Sequence, residues 1–319
     1  MKTIRLKKNL PAIIATALVF AITLTSCQKD NSGNSGSATT TIKITDAPID
    51  DASVSGAFVT ITDIKLDGQS VQGFTKTTID LNAYQNGATR TLGNFNLTGK
   101  TYSSITFVLD FDMDANGNAP GCYVLSTGGA KHKLQTTANA ITITKNFTLQ
   151  ASSSNSVVAD FDLRKMVTHQ SGASDHYDFV TAAELQSSVR IIVENQTGTV
   201  SGTLTDNVSG SGKVIAYAYK KGTFNRTTEM QASGASGIEF KNAVSSSLVS
   251  GTGSYQLHFL ESGDYEIHFA SYKDTNADNE FELKGTLIVT VAGGLDILGL
   301  TVNANANLTV NAIATAVLP

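Results

Sequence analysis

The sequence predicts an all-β protein made of two Ig-like β-sandwich domains in tandem, and three observations carry that prediction. Apolar and polar residues alternate in short runs along most of the chain, the pattern of half-buried strands. Trp is absent, charged residues make up only 16%, and Thr, Ser, Val, Ile and Gly are plentiful, which is a composition of strands joined by polar turns. No stretch holds a 3.6-residue period long enough for an amphipathic helix. Each half offers about seven or eight strands, the count of a sandwich.

The elements follow in order from the amino end. Lys2, Arg5, Lys7 and Lys8 precede the apolar run Ala12 to Leu24, which ends in Leu24-Thr25-Ser26-Cys27. A basic start, an apolar run of about 7–15 residues and a small-residue cut site make a secretory signal. Cys at the first position after the cut makes it a lipoprotein signal, so residues 1–26 are expected to be removed and Cys27 to be acylated. The run is too short to span a bilayer, which takes about 20 apolar residues. Acyl chains anchor instead, each buried methylene contributing about 0.8 kcal/mol. Residues 27–40 read as the lipidated cysteine and a flexible linker, since nothing in them is large and apolar enough to pack. Lys29-Asp30 resembles the charged signals with which some Gram-negative bacteria send lipoproteins to the cell exterior. The expected location is the outer membrane, lipid-anchored, with display on the cell surface favoured over the periplasmic face.

Removing residues 1–26 takes four of the 23 basic residues and none of the 27 acids, leaving a net charge of −8. A mildly acidic chain without basic clusters is a poor partner for nucleic acid or anionic lipid. Partners are therefore expected to be the membrane lipid at Cys27 and a glycan or protein ligand.

From Thr41, period-two pairs mark strands at Ile42 and Ile44, Val59 and Ile61, Ile64 and Leu66, Ile79 and Leu81, and Ile105 to Phe111. Further runs lie at Tyr123–Leu125, Ile141–Ile143, Phe147–Leu149, Val157–Leu163 and Val189–Val193. Segment 164–187 reads as the one long interval without strands, with a short helix at Thr181–Gln186. A boundary near Asn195–Gly198 divides a first domain, 41–195, from a second, 198–319. Strands resume at Thr199–Leu204, Val214–Tyr219, Gly237–Phe240, Tyr255–Leu260, Tyr265–Tyr272 and Phe281–Val291. A last stretch, 298–317, could serve as a donor or acceptor edge.

One repeat ties the halves together. Leu97-Thr98-Gly99-Lys100-Thr101-Tyr102 leads into a strand and an acidic turn, and so does Leu260-Glu261-Ser262-Gly263-Asp264-Tyr265. Gly is expected to supply a positive φ and Tyr to anchor the corner through its ring and hydroxyl.

Several spaced motifs then carry a resemblance: Lys43 to Asp51 (KITDAPIDD), Val59 to Ile64, the Leu97-Thr98-Gly99 corner with Tyr102, and Asp160 to Lys165 (DFDLRK). Together they resemble the bacterial lipoprotein family known as domain of unknown function 4382, over residues 40–195. That resemblance implies a prealbumin-like sandwich and no established activity. Gly198 to Thr203, with Gly253 to Leu257 and Leu260 to Tyr265, resembles the carboxypeptidase-regulatory-like sandwich, though no Pro precedes Gly263.

Candidate chemistry is sparse. Asp112, Asp114 and Asn116, followed by Gly117, open like a calcium loop, but Tyr123 stands where a bidentate Glu would close an EF-hand. Asp274, Asn276, Asp278 and Glu280 form a second acidic turn of the same character. Asp, Asn and Gly also fill ordinary turns, so no cofactor is required and calcium is the one considered. Asp160 and Asp162 share one strand face, as a glycosidase pair or as part of a charged outer surface. His169 and His176 flank a loop and raise the question of zinc, while His258 and His268 are expected to point outward. Cys122 has no partner in its own mature chain and reads as buried and inert. No hydrolase, metalloprotease, P-loop or dinucleotide motif is present. The expected function is therefore a non-catalytic binding or structural module of the cell envelope. The alternatives are a surface hydrolase and a subunit of a surface fibre.

Overall fold

The computed structural model describes residues 36–47, 51, 53–170, 176–210, 212–275, 281–291, 293 and 296–319. Cys27, the expected leader and residues 28–35 of the expected linker lie outside them, and residues 37–40, expected as linker, instead open the first strand with Ala38 and Thr40 fully buried. The first half runs β1 (Ser37–Ala47), β2 (Val54–Leu66), β3 (Gln69–Ser70), β4 (Thr77–Asp80), β5 (Arg90–Thr98), β6 (Thr101–Leu109), β7 (Tyr123–Ser126), β8 (Lys131–Lys133), β9 (Ala140–Thr148) and β10 (Ser154–Asp162). It continues with α1 (Leu163–Met166), β11 (Val167–Gln170), β12 (His176–Phe179), α2 (Ala182–Ser187) and β13 (Val189–Val193). One sheet has the order β13-β10-β1-β5; the other has β8-β7-β2-β6-β9, with β3 and β4 paired to β2.

These strands form where the alternation places them. On β1, Ile42 and Ile44 are 1% and 0% exposed while Thr41 and Lys43 are partly exposed, so one row enters the core and the other leaves it. Phe107 of β6 meets Phe161 of β10 edge to face across the two sheets, ring centres 5.5 Å apart. Each such buried ring contributes about 1.5–3 kcal/mol.

The second half runs β14 (Thr197–Asp206), β15 (Lys213–Lys220), α3 (Arg226–Glu229), β16 (Ser245–Leu248), β17 (Ser254–Glu261), β18 (Gly263–Lys273), β19 (Glu282–Val291), β20 (Leu300–Val302), β21 (Asn307–Thr309) and β22 (Ala312–Leu318). Its strands follow the order β16-β15-β18-β19-β22-β14-β17, so β22 links two faces that close on one core. Here Tyr255 of β17 and Phe269 of β18 make the contact across the core, at 5.2 Å and 85°.

The two halves share a topology. In each, the first strand lies between an antiparallel and a parallel neighbour: β1 between β5 and β10, β14 between β17 and β22. The corner strand lies between two antiparallel ones, β6 between β2 and β9, β18 between β15 and β19. At each corner the chain passes from one face of the sandwich to the other. Tyr102 donates its hydroxyl to the Thr98 carbonyl at 3.0 Å, and Tyr265 to the Glu261 carbonyl at 2.7 Å, both four residues upstream. The corner glycines differ in their reason. Gly263 has φ +147, which favours glycine. Gly99 has no positive φ; a Cβ there would lie 2.6 Å from the Ala151 backbone, so close approach explains it.

Three other expectations are corrected. Segment 164–187 holds the hairpin β11–β12, paired from Val167 with Phe179 to Gln170 with His176, beside the expected helix α2. That hairpin is too short for its alternation to stand out. Residues 237–240 form no strand beyond an isolated bridge between Ser233 and Ile238. The stretch 298–317 is not one long strand but breaks into β20, β21 and β22; β22 is interior, paired with both β14 and β19, whereas among the described residues β20 pairs only with β18 and β21 only with β14.

Candidate functional site

The densest chemistry lies where the two sandwiches meet. The parallel register of β1 and β10 sets Thr45 beside Asp160 and Ala47 beside Asp162, at the ends of both strands. β10 runs directly into α1, and that turn swings Arg164 and Lys165 toward the second sandwich. Asp162 accepts hydrogen bonds from Arg164 at 2.9 Å and lies 3.1 Å from the Lys165 ammonium. Arg164 also donates to the Glu239 carbonyl at 2.7 Å and sits 5.1 Å over the Tyr217 ring. Lys165 donates to the Ala243 carbonyl at 2.6 Å. One strand over, Arg190 pairs with Asp160 and reaches the Phe259 carbonyl at 3.3 Å. Lys145 pairs with Glu261 at 2.6 Å.

Asp160 and Asp162 are therefore 8% and 9% exposed, which corrects the expected outer face. Period two fixes which face a residue takes, but only the neighbouring domain decides whether that face meets water. Burial drives the Asp162 carboxyl up, yet Arg164 and Lys165 outweigh it and hold it below the usual value. Lys165 is pushed down by burial. Asp46, whose carboxylate accepts the Leu163 N–H at 3.0 Å, is raised well above the ordinary range, chiefly by burial. At the seam's edge Glu184 hydrogen-bonds Ser236 and Thr181; burial opposes these bonds, but they hold its carboxyl at about 2.

A glycosidase pair needs room for a sugar ring between its acids. The cavity beside Asp160, lined also by Asp46, Ser246 and His258, measures about 20 Å³, which is room for about one water. The acids serve as an internal clasp.

The histidines do not converge. On the hairpin, His169 pairs with Tyr177 and His176 with Gln170, so the two side chains take opposite faces. His176 contacts Asp178 at 3.1 Å. His169 lies 3.0 Å from Asp51 and stacks on Tyr177 at 3.9 Å. Ser53 bonds Tyr177 at 2.6 Å and also the Asp51 carboxylate, placing the carboxylate between serine and histidine. A nucleophile–base–acid relay needs the histidine between them. This cluster was not foreseen, because its members lie far apart in sequence. His258 and His268 are corrected from outward to covered. His258 packs on Gly87 of the first sandwich, and His268 stacks on Phe224 at 3.7 Å. Burial lowers both. Residues 221–244 cover the outer face of β15 and β18, giving that sheet a second apolar layer around Tyr217, Phe240 and Tyr272.

The acidic turns are placed in part. Asp114 accepts the N–H groups of Asn116 and Asn118, both at 2.8 Å, and Asp112 pairs with Lys133 at 2.7 Å. Asp114 holds the turn's own donors and Asp112 a lysine of β8, and calcium would have to displace both. Of the second turn only Asp274 falls within the described residues; Asn276, Asp278 and Glu280 lie outside them. Among the described residues no group of three His, Cys, Asp or Glu is placed to hold a metal. Cys122 is fully buried, its thiol pushed up to about 12 by burial.

At the far end of the second sandwich, the ends of β14, β15 and β16 and the turn 249–253 enclose an open cavity of about 730 Å³. Among the described residues no helix is long and apolar enough to cross a membrane.

Residues 37–180 match the family described as a domain of unknown function (DUF4382). No curated protein matches the chain. Among solved structures, the Bacillus anthracis TIE protein is 11% identical over 87% of this chain and 34% of its own, with a TM-score of 0.19. A leucine-rich repeat protein from Bacteroides thetaiotaomicron VPI-5482 is 13% identical over 88% of this chain and 27% of its own, TM-score 0.19. The major pilin T-13 of Streptococcus pyogenes serotype GAS131465 is 10% identical over 89% of this chain and 100% of its own, TM-score 0.19. This chain thus spans about a third and about a quarter of the first two. Scores of this size carry no function from one chain to another.

Proposed function

We propose that this chain is a lipid-anchored module of the cell envelope, tethered to the outer membrane through Cys27 and displayed on the cell surface, that binds or braces without catalysis. The observation that carries the non-catalytic, bracing part of this reading is the clasp of Asp160, Asp162, Arg164, Lys165 and Arg190, while the anchor rests on the sequence up to Cys27. The clasp takes up the acids and bases that hydrolysis would need and joins two sandwiches that a plain linker would leave free to move. A glycan, a peptide or another envelope protein is the ligand class, met by loops or sheet edges. The second half is read as a carboxypeptidase-regulatory-like sandwich on its sequence motifs alone, and calcium at Asp274, Asn276, Asp278 and Glu280 would stiffen a turn. A rise in melting temperature at millimolar calcium is the sign of that ion.

Protease shaving of intact cells, with mass spectrometry of the amino-terminal peptide, tests the proposal. The expected result is an acylated Cys27 peptide left on the membrane and one protease-resistant fragment spanning both sandwiches. An unmodified thiol with the leader attached, or ready cleavage between Val193 and Thr197, overturns it.

A further inference from the structure

The cavity of about 730 Å³ in the second sandwich lies away from the clasp, and its size is that of a small-molecule site. Its position is set by strand direction. β14 leaves the seam at Thr197 and reaches Asp206 at the cavity. Leu204 and Val214 are buried beneath it, with Leu248 and Val249 partly covered. Around them stand Thr205, Asp206, Lys213, Ser250 and Thr252.

Three features select the ligand. Asp206 and Lys213 cancel in charge, so the opening favours neither a polyanion nor a polycation. Serine and threonine hydroxyls both donate and accept, matching partners that do the same. The apolar floor suits the C–H face of a sugar ring. A peptide strand is disfavoured, because β14 is already paired with β22 at Leu204 to Asp206 and the Leu204 N–H donates to the Gly253 carbonyl at 2.8 Å. Asp206 keeps its loop in place by accepting the N–H groups of Val208 at 2.9 Å and Ser209 at 3.0 Å through one oxygen.

We infer that this cavity binds a neutral oligosaccharide, an inference that rests on the binding reading above and names its site. Gly251 gives the test: it lines the cavity, and an added Cβ would meet no atom within 4 Å, so Gly251→Trp is expected to crowd the opening. Maltohexaose, cellohexaose, chitohexaose and mannohexaose, with hexagalacturonate as the anionic arm, are titrated calorimetrically into the mature chain. At least one neutral hexasaccharide is expected to bind, tenfold or more weaker to Gly251→Trp at an unchanged melting temperature. Thr205→Val combined with Asp206→Asn is expected to weaken it likewise. No heat from any neutral probe, a preference for hexagalacturonate, or binding that both variants leave intact overturns the inference. Binding that survives both variants removes the cavity but leaves the module a binder, whereas the shaving experiment judges that broader reading separately.

Discussion

Asp162→Asn strikes the clasp at its most connected point. The carboxylate is 12% exposed, 2.9 Å from Arg164 and 3.1 Å from Lys165. At an effective dielectric constant of about 20, each contact supplies roughly 5–6 kcal/mol of attraction, and burying each ion costs several kcal/mol. The pair is thus modest in net value but expensive to break. Removing the acid leaves two cations buried beside each other, and the expected loss is about 3–5 kcal/mol in urea unfolding of the mature chain. Glu261→Gln is the control: the Lys145–Glu261 pair is 35% and 43% exposed and should cost under about 1 kcal/mol. A pH series adds a second readout. Asp162 is held below its unfolded value of about 3.9, so its contribution stands complete above that pH and fades as pH falls through the lower folded value. The wild type should lose stability on that acid limb, and the variant should show less of the loss. A cost under about 1 kcal/mol, with the acid limb unchanged, would show a solvent-screened seam and refute the clasp.

Tyr265→Phe should cost about 1 kcal/mol by chemical denaturation, since it removes the hydrogen bond to the Glu261 carbonyl from a ring that is 1% exposed. Gly263→Ala should also cost about 1 kcal/mol or more, because φ +147 disfavours a side chain. Cys122 should resist a thiol-reactive dye at pH 8 in the native chain and react once unfolded, its thiol being buried and its pKa near 12; rapid native labelling would show that the core opens.

What could be read from the chain follows from where the physics is local. Alternation at Ile42, Ile44, Ile105 and Phe107 reports a pleat that each strand makes by itself, so the all-β class and the sandwich cores were visible. The L-x-x-G-x-Y corners were visible for the same reason: Tyr102 and Tyr265 bond carbonyls only four residues away. Burial of the outward row is not local. His268 and Asp162 obey the alternation and still lie covered, one beneath residues 221–244 and the other beneath the second sandwich. No window of sequence contains both partners of such a contact.

The run Asp160-Phe161-Asp162-Leu163-Arg164-Lys165 shows what could have given the seam away. Phe161 and Leu163 are fully buried in the first core, while Asp162 and Lys165 are each 9% exposed on the seam side. Charges of both signs packed into six residues at a strand end can neutralise one another, and a solvated face has no need for that arrangement. The backbone carbonyls of Glu239, Phe240 and Ala243 accept hydrogen bonds from Arg164 and Lys165, so the second sandwich supplies acceptors that the first lacks. A charge cluster that balances itself at the end of an otherwise apolar strand is a signal for a domain partner. Replacing Asp162, Arg164 and Lys165 together with Leu, Met and Met should then restore most of the stability lost by Asp162→Asn, because apolar groups of similar volume can replace a buried ion cluster at little cost. If the triple variant is as unstable as the single one, the cations hold the seam through their carbonyl contacts and the carboxylate is secondary.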